Sequence, residues 1–167
     1  MAQLARQYSA AAKPASPLKE NDLTQYLNER LNSEDGDLEE DIIEIEPIDD
    51  DPEVRARFIA DCAYAVKAED IAALDLRGLT IIADFFVVCT GNSSIQIRAI
   101  ANRIEDGMRE QGFKKLRAEG YQEASWVLLD YGDVVAHVMA AEQREFYQLE
   151  KFWAEAPRLE LGLEPDR

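Results

Sequence analysis

The 167-residue chain has few residues of the kinds that bind metals or form disulfides. It contains two cysteines, Cys62 and Cys89, and a single histidine, His137. A zinc site needs three or four converging ligands, and neither cysteine lies at ligand spacing from another donor. Each cysteine sits in an apolar run, which is typical of buried thiols in a reducing cytoplasm. We therefore expect no metal and no cofactor, and we expect His137 to be packed and hydrogen-bonded.

The chain also lacks a long apolar segment. No run approaches the roughly 20 residues that span a membrane. Residues 1–12 include polar side chains and lack the apolar core of a secretory signal. We therefore expect a cytoplasmic protein. An organellar transit peptide at the start stays open as an alternative, although the acidic run that follows argues against a long one.

Basic residues are scarce in the N-terminal third. The formal net charge is -16, of which residues 1–53 contribute -11, from 15 acids and 4 bases. From Glu34 to Glu53 there are twelve acids and no base, a composition that repels itself and resists compaction. Residues 1–53 are therefore predicted to be an acidic, mostly disordered leader. Such a leader repels phosphate backbones, so a basic protein surface is a better partner than nucleic acid.

Two features interrupt the leader. Leucines spaced by four predict a short helix over residues 22–31. Ile42, Ile43, Ile45 and Ile48 place apolar side chains within the acidic run. The leader is therefore either a solvated segment throughout or carries a short partner-binding segment.

The patterns of residues 54–156 predict one folded domain, followed by a short tail over residues 157–167. Helical periodicity predicts helices over 52–68, 93–112 and 142–153. The third of these would place Phe146, Leu149 and Trp153 on one face. Runs rich in β-formers predict strands over 72–76, 84–90, 114–120, 126–130 and 134–139. A hairpin combined with a strand–helix–strand crossover predicts an α/β (mixed α+β) fold: a mixed sheet of about five strands with helices packed on it.

Alternation along residues 126–130 separates two faces of a strand. Val127 and Leu129 form an all-apolar face, whereas Trp126, Leu128 and Asp130 lie on the other. A large amphipathic indole on that second face is typical of the centre of a protein interface. The alternative is a tryptophan that is covered by one of the protein's own helices.

The strand is followed by a tight turn. Asp130 and Asp133 flank Tyr131-Gly132. Aspartates in turns usually accept hydrogen bonds from local backbone N–H groups. They also suit ion pairs with Arg or Lys on a partner protein. Both interpretations stay open from the residues alone.

The junction Gly91-Asn-Ser-Ser94 between a strand and a helix is the one enzyme-like feature. Helix N-termini favour anions, and nucleotidyltransferases place a Gly-Ser turn at such a junction. Their chemistry also needs carboxylates that converge on divalent metals, two residues apart on a strand. No such pair follows the turn on any predicted strand. A capping role for Asn92 or Ser93 is therefore favoured, and a metal-dependent nucleotidyltransferase-like enzyme is the alternative function.

A larger set of residues resembles the Iojap (DUF143) family, also called ribosomal silencing factor S. The resemblance covers residues 54–156, with Ala83 and Ile95 where Thr and Arg are common. The matching segments are Asp70-Ile71, Ala73-Leu-Asp75, Asp84 to Ser94, Ala99-Ile-Ala101, Glu119-Gly120, Trp126 to Val135 with His137, and Glu142, Arg144, Phe146, Tyr147, Leu149-Glu150 and Trp153.

The resemblance implies a function and a partner. It implies binding to ribosomal protein uL14 on the large ribosomal subunit, a block on joining of the small subunit, and repression of translation when nutrients are scarce. It also implies a nucleotidyltransferase-like fold without enzymatic activity, and self-association as a homodimer when free. The expected uL14-binding residues are Trp126, Leu128, Asp130, Tyr131 and Asp133.

Overall fold

The computed structural model describes residues 47–164. The predicted helix over residues 22–31, and most of the predicted leader, lie outside these residues. The described residues form a five-stranded mixed sheet with helices packed on it, which confirms the predicted fold class. In this part of the chain no helix is both long and apolar enough to cross a bilayer.

The structure has four helices and five strands in its described part. The helices are α1 (Pro52–Ala65), α2 (Ser94–Glu110), α3 (Ala141–Tyr147) and α4 (Leu149–Phe152). The strands are β1 (Glu69–Asp75), β2 (Phe85–Thr90), β3 (Arg117–Glu119), β4 (Trp126–Asp130) and β5 (Val134–Met139).

The two long helices begin at side-chain caps. The Asp51 carboxylate accepts a 2.8 Å hydrogen bond from the Glu53 backbone N–H, and proline occupies the first turn. The Ser93 hydroxyl accepts a 3.1 Å bond from the Gln96 backbone N–H. Each cap satisfies a donor that a helix start leaves unpaired. Both helix starts agree with the sequence prediction.

The strand order across the sheet is β1-β2-β5-β4-β3. Only β2 and β5 pair in parallel, and the other neighbours are antiparallel. After β2 the chain passes through α2 to the far edge and returns through β3 and β4 to β5. The middle strand is therefore β5, with β2 as its parallel neighbour, and every residue of both is buried.

Helices α1 and α2 contact the sheet and each other. They pack tightly at Gly107, where an added Cβ would lie 2.7 Å from the Cys62 sulfur. Val127 and Leu129 are fully buried. One cluster of buried apolar side chains, which we call the distal cluster, includes Phe86, Val88 and Met139. Leu149 and Trp153 pack against it.

The predicted single helix over residues 142–153 is wrong. Gln148 adopts a left-handed conformation, with φ 47° and ψ 53°, and separates α3 from α4. The break lets Leu149 and Trp153 pack against the distal cluster, whereas Phe146 is 80% exposed. Helical periodicity does not detect such a break, because contacts distant in sequence decide it.

Several element bounds also differ from the prediction. The first helix ends at Ala65 rather than near residue 68, and the first strand starts at Glu69. The strand predicted over residues 114–120 covers only Arg117–Glu119. Residues 157–159 lie along β1: the Leu159 N–H donates to the Ala73 carbonyl at 2.9 Å.

Candidate functional site

Strand β4 presents its two faces as the alternation predicts. Val127 and Leu129 are buried at 0% exposure, whereas Trp126, Leu128 and Asp130 are partly exposed. Trp126 and Leu128 pack against the edge of the distal cluster. They therefore lie where the core of this face meets the surface.

The Trp126 indole is held by two neighbours. Its Nε1–H donates a 3.2 Å hydrogen bond to Nδ1 of His137. Its ring lies 4.7 Å from the Tyr147 ring, at an interplanar angle of 52°. Phe146 extends this set, with its ring 5.0 Å from that of Tyr147. We call Trp126, Tyr147 and Phe146 the aromatic row.

The aromatic row combines one predicted residue with two that the sequence interpretation did not assign to the site. Tyr147 and Phe146 are both exposed, as is Phe152 in α4. Periodicity placed Phe146 on the inner face of a continuous helix, and the break at Gln148 turns it outward. The nearest signal in the sequence is the run Phe146-Tyr147 itself, because adjacent side chains on a helix point about 100° apart, so that one of the two tends to face solvent.

His137 is packed and hydrogen-bonded, as expected. It is 4% exposed, and its ring meets the Phe86 ring in an edge-on contact with centroids 4.6 Å apart. Burial lowers the pKa of His137 to about 4. The imidazole is therefore neutral at neutral pH and can accept the Trp126 hydrogen bond.

The end of β4 and the turn after it hold the other three predicted site residues, each in a different environment. The Asp130 carboxylate accepts a 2.8 Å hydrogen bond from the Gly132 N–H and lies 3.8 Å from the Arg117 guanidinium. The Asp133 carboxylate forms a 2.8 Å ion pair with Arg55 while its side chain stays 59% exposed. Tyr131 is only 6% exposed, and burial raises the pKa of its phenol.

The structure therefore gathers Trp126, Leu128 and Asp130 on one partly exposed face. Asp133 lies beyond the turn, with its carboxylate already bonded within the domain. Tyr131 has almost no surface for a partner, so its part in any interface is indirect. The local hydrogen bond of Asp130 agrees with the turn interpretation and leaves the partner interpretation open, because the carboxylate stays partly exposed.

The junction before α2 is occupied by internal hydrogen bonds. The Asn92 backbone N–H donates to the Gln96 side chain at 2.7 Å, and the Asn92 amide donates to the Glu69 carboxylate at 2.7 Å. A carboxylate beside the turn opposes a bound phosphate. Across residues 47–164, no group of three or more His, Cys, Asp or Glu side chains could hold a metal ion.

Comparisons with known proteins identify the family to which the chain is related. The family model described as "Ribosomal silencing factor during starvation" (RsfS) matches residues 49–167. The chain is similar to a ribosomal silencing factor of Halalkalibacterium halodurans, with 50% identity over 95 residues that cover 57% of this chain and 81% of that protein.

Two solved structures also match. A crystal structure from Bacillus halodurans shares 41% identity at a TM-score of 0.56, covering 62% of this chain and 94% of that one. A crystal structure from Chromobacterium violaceum shares 31% identity at a TM-score of 0.61, covering 70% of this chain and 91% of that one. The chain belongs to the RsfS family of ribosomal silencing factors.

Proposed function

We propose that this chain silences ribosomes by binding ribosomal protein uL14 on the large subunit, so that the small subunit cannot join. Translation would then be repressed, above all when nutrients are limiting. Membership of the RsfS family supports the silencing role. The observation that carries the contact proposal is the partly exposed Trp126, which packs against the exposed ring of Tyr147, itself in contact with the exposed ring of Phe146.

The aromatic row has the composition of an interface centre. Aromatic side chains are enriched in the buried centres of protein interfaces, where water is excluded. Trp126 would be the central anchor, with Leu128 beside it and Tyr147 packed against its ring. Exposed aromatics grouped in this way are unfavourable on a surface that stays in water.

The acidic side chains of the turn suit the rim of this interface. Asp130 and Asp133 keep part of their carboxylates exposed while the domain holds them in place. Carboxylates at a rim guide encounter with Arg and Lys side chains of a partner and fix its orientation. Tyr131 would support the turn from beneath without touching uL14.

The same face offers a contact to a second copy of the chain. We propose that the free protein forms a homodimer through it, and that uL14 competes with the second copy. We also propose that the chain acts in the cytoplasm. Because Trp126 would serve both contacts, a Trp126 variant should lose both together.

Replacing Trp126 with alanine tests the proposal. We expect Trp126→Ala to weaken uL14 binding by about thirtyfold or more, which corresponds to about 2 kcal/mol for a central aromatic anchor. Titration of uL14 measures the loss, and urea unfolding of the same variant measures its stability. Co-sedimentation should show the wild-type chain with 50S particles but not with 70S particles.

Val127→Ala is the matched control, because Val127 lies on the same strand but its buried side chain is on the other face of the sheet. It should lower the unfolding midpoint and leave uL14 affinity unchanged. If Trp126→Ala collapses the unfolding midpoint while any remaining folded protein binds uL14 normally, Trp126 is structural and the proposed contact is wrong. Co-sedimentation of the wild-type chain with neither particle would reject the ribosomal role.

A further inference from the structure

His137 and Trp126 lie on adjacent strands of an antiparallel pair. His137 is directly opposite Leu128, which makes it a diagonal neighbour of Trp126. Diagonal positions are within reach of aromatic side chains. The 3.2 Å hydrogen bond from the indole Nε1–H to Nδ1 of His137 joins these diagonal positions.

The imidazole is a fixed acceptor. It is 4% exposed and its ring is held edge-on to Phe86, 4.6 Å between centroids. A side chain packed in this way cannot follow a mobile partner. The bond therefore forms only when the indole N–H points at the imidazole, which restricts the rotamers that Trp126 can adopt.

The bond also determines the tautomer. Because Nδ1 accepts, the neutral imidazole carries its hydrogen on Nε2. Nε2 is buried, and no residue in the described part of the chain bonds to it. A buried N–H without a partner is unfavourable, and an apolar side chain at this position would avoid the penalty. The interaction that offsets it here is the bond to Trp126.

We propose that His137 is a positioning residue, which holds the Trp126 indole in the orientation that binds uL14. This role rests on the proposed function. Binding usually restricts the motion of interface side chains, which costs conformational entropy. An anchor that is already ordered in the folded protein loses less entropy when the partner binds. His137 holds the Trp126 indole through its N–H, and Tyr147 packs against its ring. Trp126 is therefore ordered before the partner binds.

A double-mutant cycle on uL14 affinity tests the proposal. His137→Leu removes the acceptor, and Trp126→Phe removes the donor while it keeps an aromatic ring. We expect His137→Leu to weaken binding by about threefold to tenfold in the wild-type background, and by less than about twofold in the Trp126→Phe background. Equal losses in both backgrounds, or no loss in either, would overturn the proposal.

The matched control is Val138→Ala, at the next position of β5 and on the opposite face. It should reduce stability without changing uL14 affinity. All affinities are measured where urea unfolding shows the variants to be folded. If Val138→Ala weakens binding as much as His137→Leu, a general disturbance of β5 explains both losses and the proposal fails.

Solvent exchange of the Trp126 indole N–H provides a readout that does not depend on uL14. The chain has two tryptophans, so Trp153→Phe assigns the two indole signals in an NMR spectrum. His137→Leu should speed exchange of the Trp126 indole N–H while backbone amides of β2 stay protected. Unchanged exchange would refute the positioning role even if uL14 binds. Failure of the wild-type chain to bind uL14 would reject the proposed function, and the role of His137 in binding with it.

Discussion

Asp61 is an acidic residue of α1 whose carboxyl group is largely withdrawn from water. Burial raises its pKa to about 6, against the opposing effect of the Arg57 charge. The native state therefore favours the protonated acid more than the unfolded chain does. The resulting destabilisation is present above pH 6 and disappears as the pH falls towards the unfolded value of 3.8.

Replacing Asp61 with asparagine should consequently stabilise the protein at neutral pH. We expect a gain of about 1–2 kcal/mol at pH 7.5, reduced from the full shift because the carboxyl group is partly solvated. The gain should shrink to near zero as the pH approaches 4. Urea unfolding of the variant and the wild type across this range measures the difference. A gain that does not change with pH would show that the Asp61 carboxyl is not destabilised by burial.

The variant must be compared with the wild type at each pH, because His137 has the opposite effect on how the free energy of unfolding changes with pH. Burial lowers the pKa of His137 to about 4 from 6.5. Its contribution to stability is therefore complete above pH 6.5 and is lost as the pH falls towards 4. In the wild-type profile the two effects partly cancel.

At the scale of elements, an ion pair bridges the break between α3 and α4. The Arg144 guanidinium donates to the Glu150 carboxylate at 2.9 Å and to the Thr90 hydroxyl of β2 at 2.9 Å. Burial is the largest single effect and would raise the pKa of Glu150, but the hydrogen bond and charge of Arg144, together with a backbone hydrogen bond and the charge of Arg158, lower it. The pair links two short helices to the end of a central strand.

Arg144→Met should therefore loosen these helices. We expect a loss of about 1–3 kcal/mol, because Glu150 would keep a largely buried charge without its partner. Hydrogen exchange should speed up over residues 141–153 and stay slow in β2 and β5. Glu145→Ala, at an exposed position of the same helix, is the control. Uniformly faster exchange in all strands would contradict a local role for the pair.

At the scale of the molecule, truncation separates the acidic leader from the start of the domain. Removing residues 1–46 should change the melting temperature little, because a strongly acidic segment lacks the composition for a core. Extending the deletion through Asp51 removes the cap of α1 and the Asp50 ion pair to Arg55. That longer deletion should cost about 1 kcal/mol or more. Thermal unfolding of both truncations measures this, and a large loss on removing 1–46 would show that the leader supports the fold.

Local patterns account for the parts of the candidate site that lie within one element. Strand alternation separates Trp126 and Leu128 from Val127 and Leu129 without any tertiary contact. The sequence predicts a cap at Asn92 or Ser93, because capping is local, and the structure assigns it to Ser93, whose hydroxyl accepts from the Gln96 backbone N–H. Tyr147 could not be found in this way, because its contact with Trp126 depends on the path of the chain after β5.

The sequence by itself therefore determined the order and type of most elements, the mixed sheet, the inner face of β4 and the resemblance to a ribosomal silencing family. The elements and the inner face of β4 follow from side-chain periods of two and 3.6 residues, which are local. The mixed sheet follows from the connections between strands, and the resemblance from matching residues. Tertiary structure alone decided that Gln148 breaks the last helix, that residues 157–159 lie along β1, and that His137 bonds to Trp126. Each of these joins residues from different elements, and packing between elements can outweigh local preference because buried contacts contribute more free energy than propensity does.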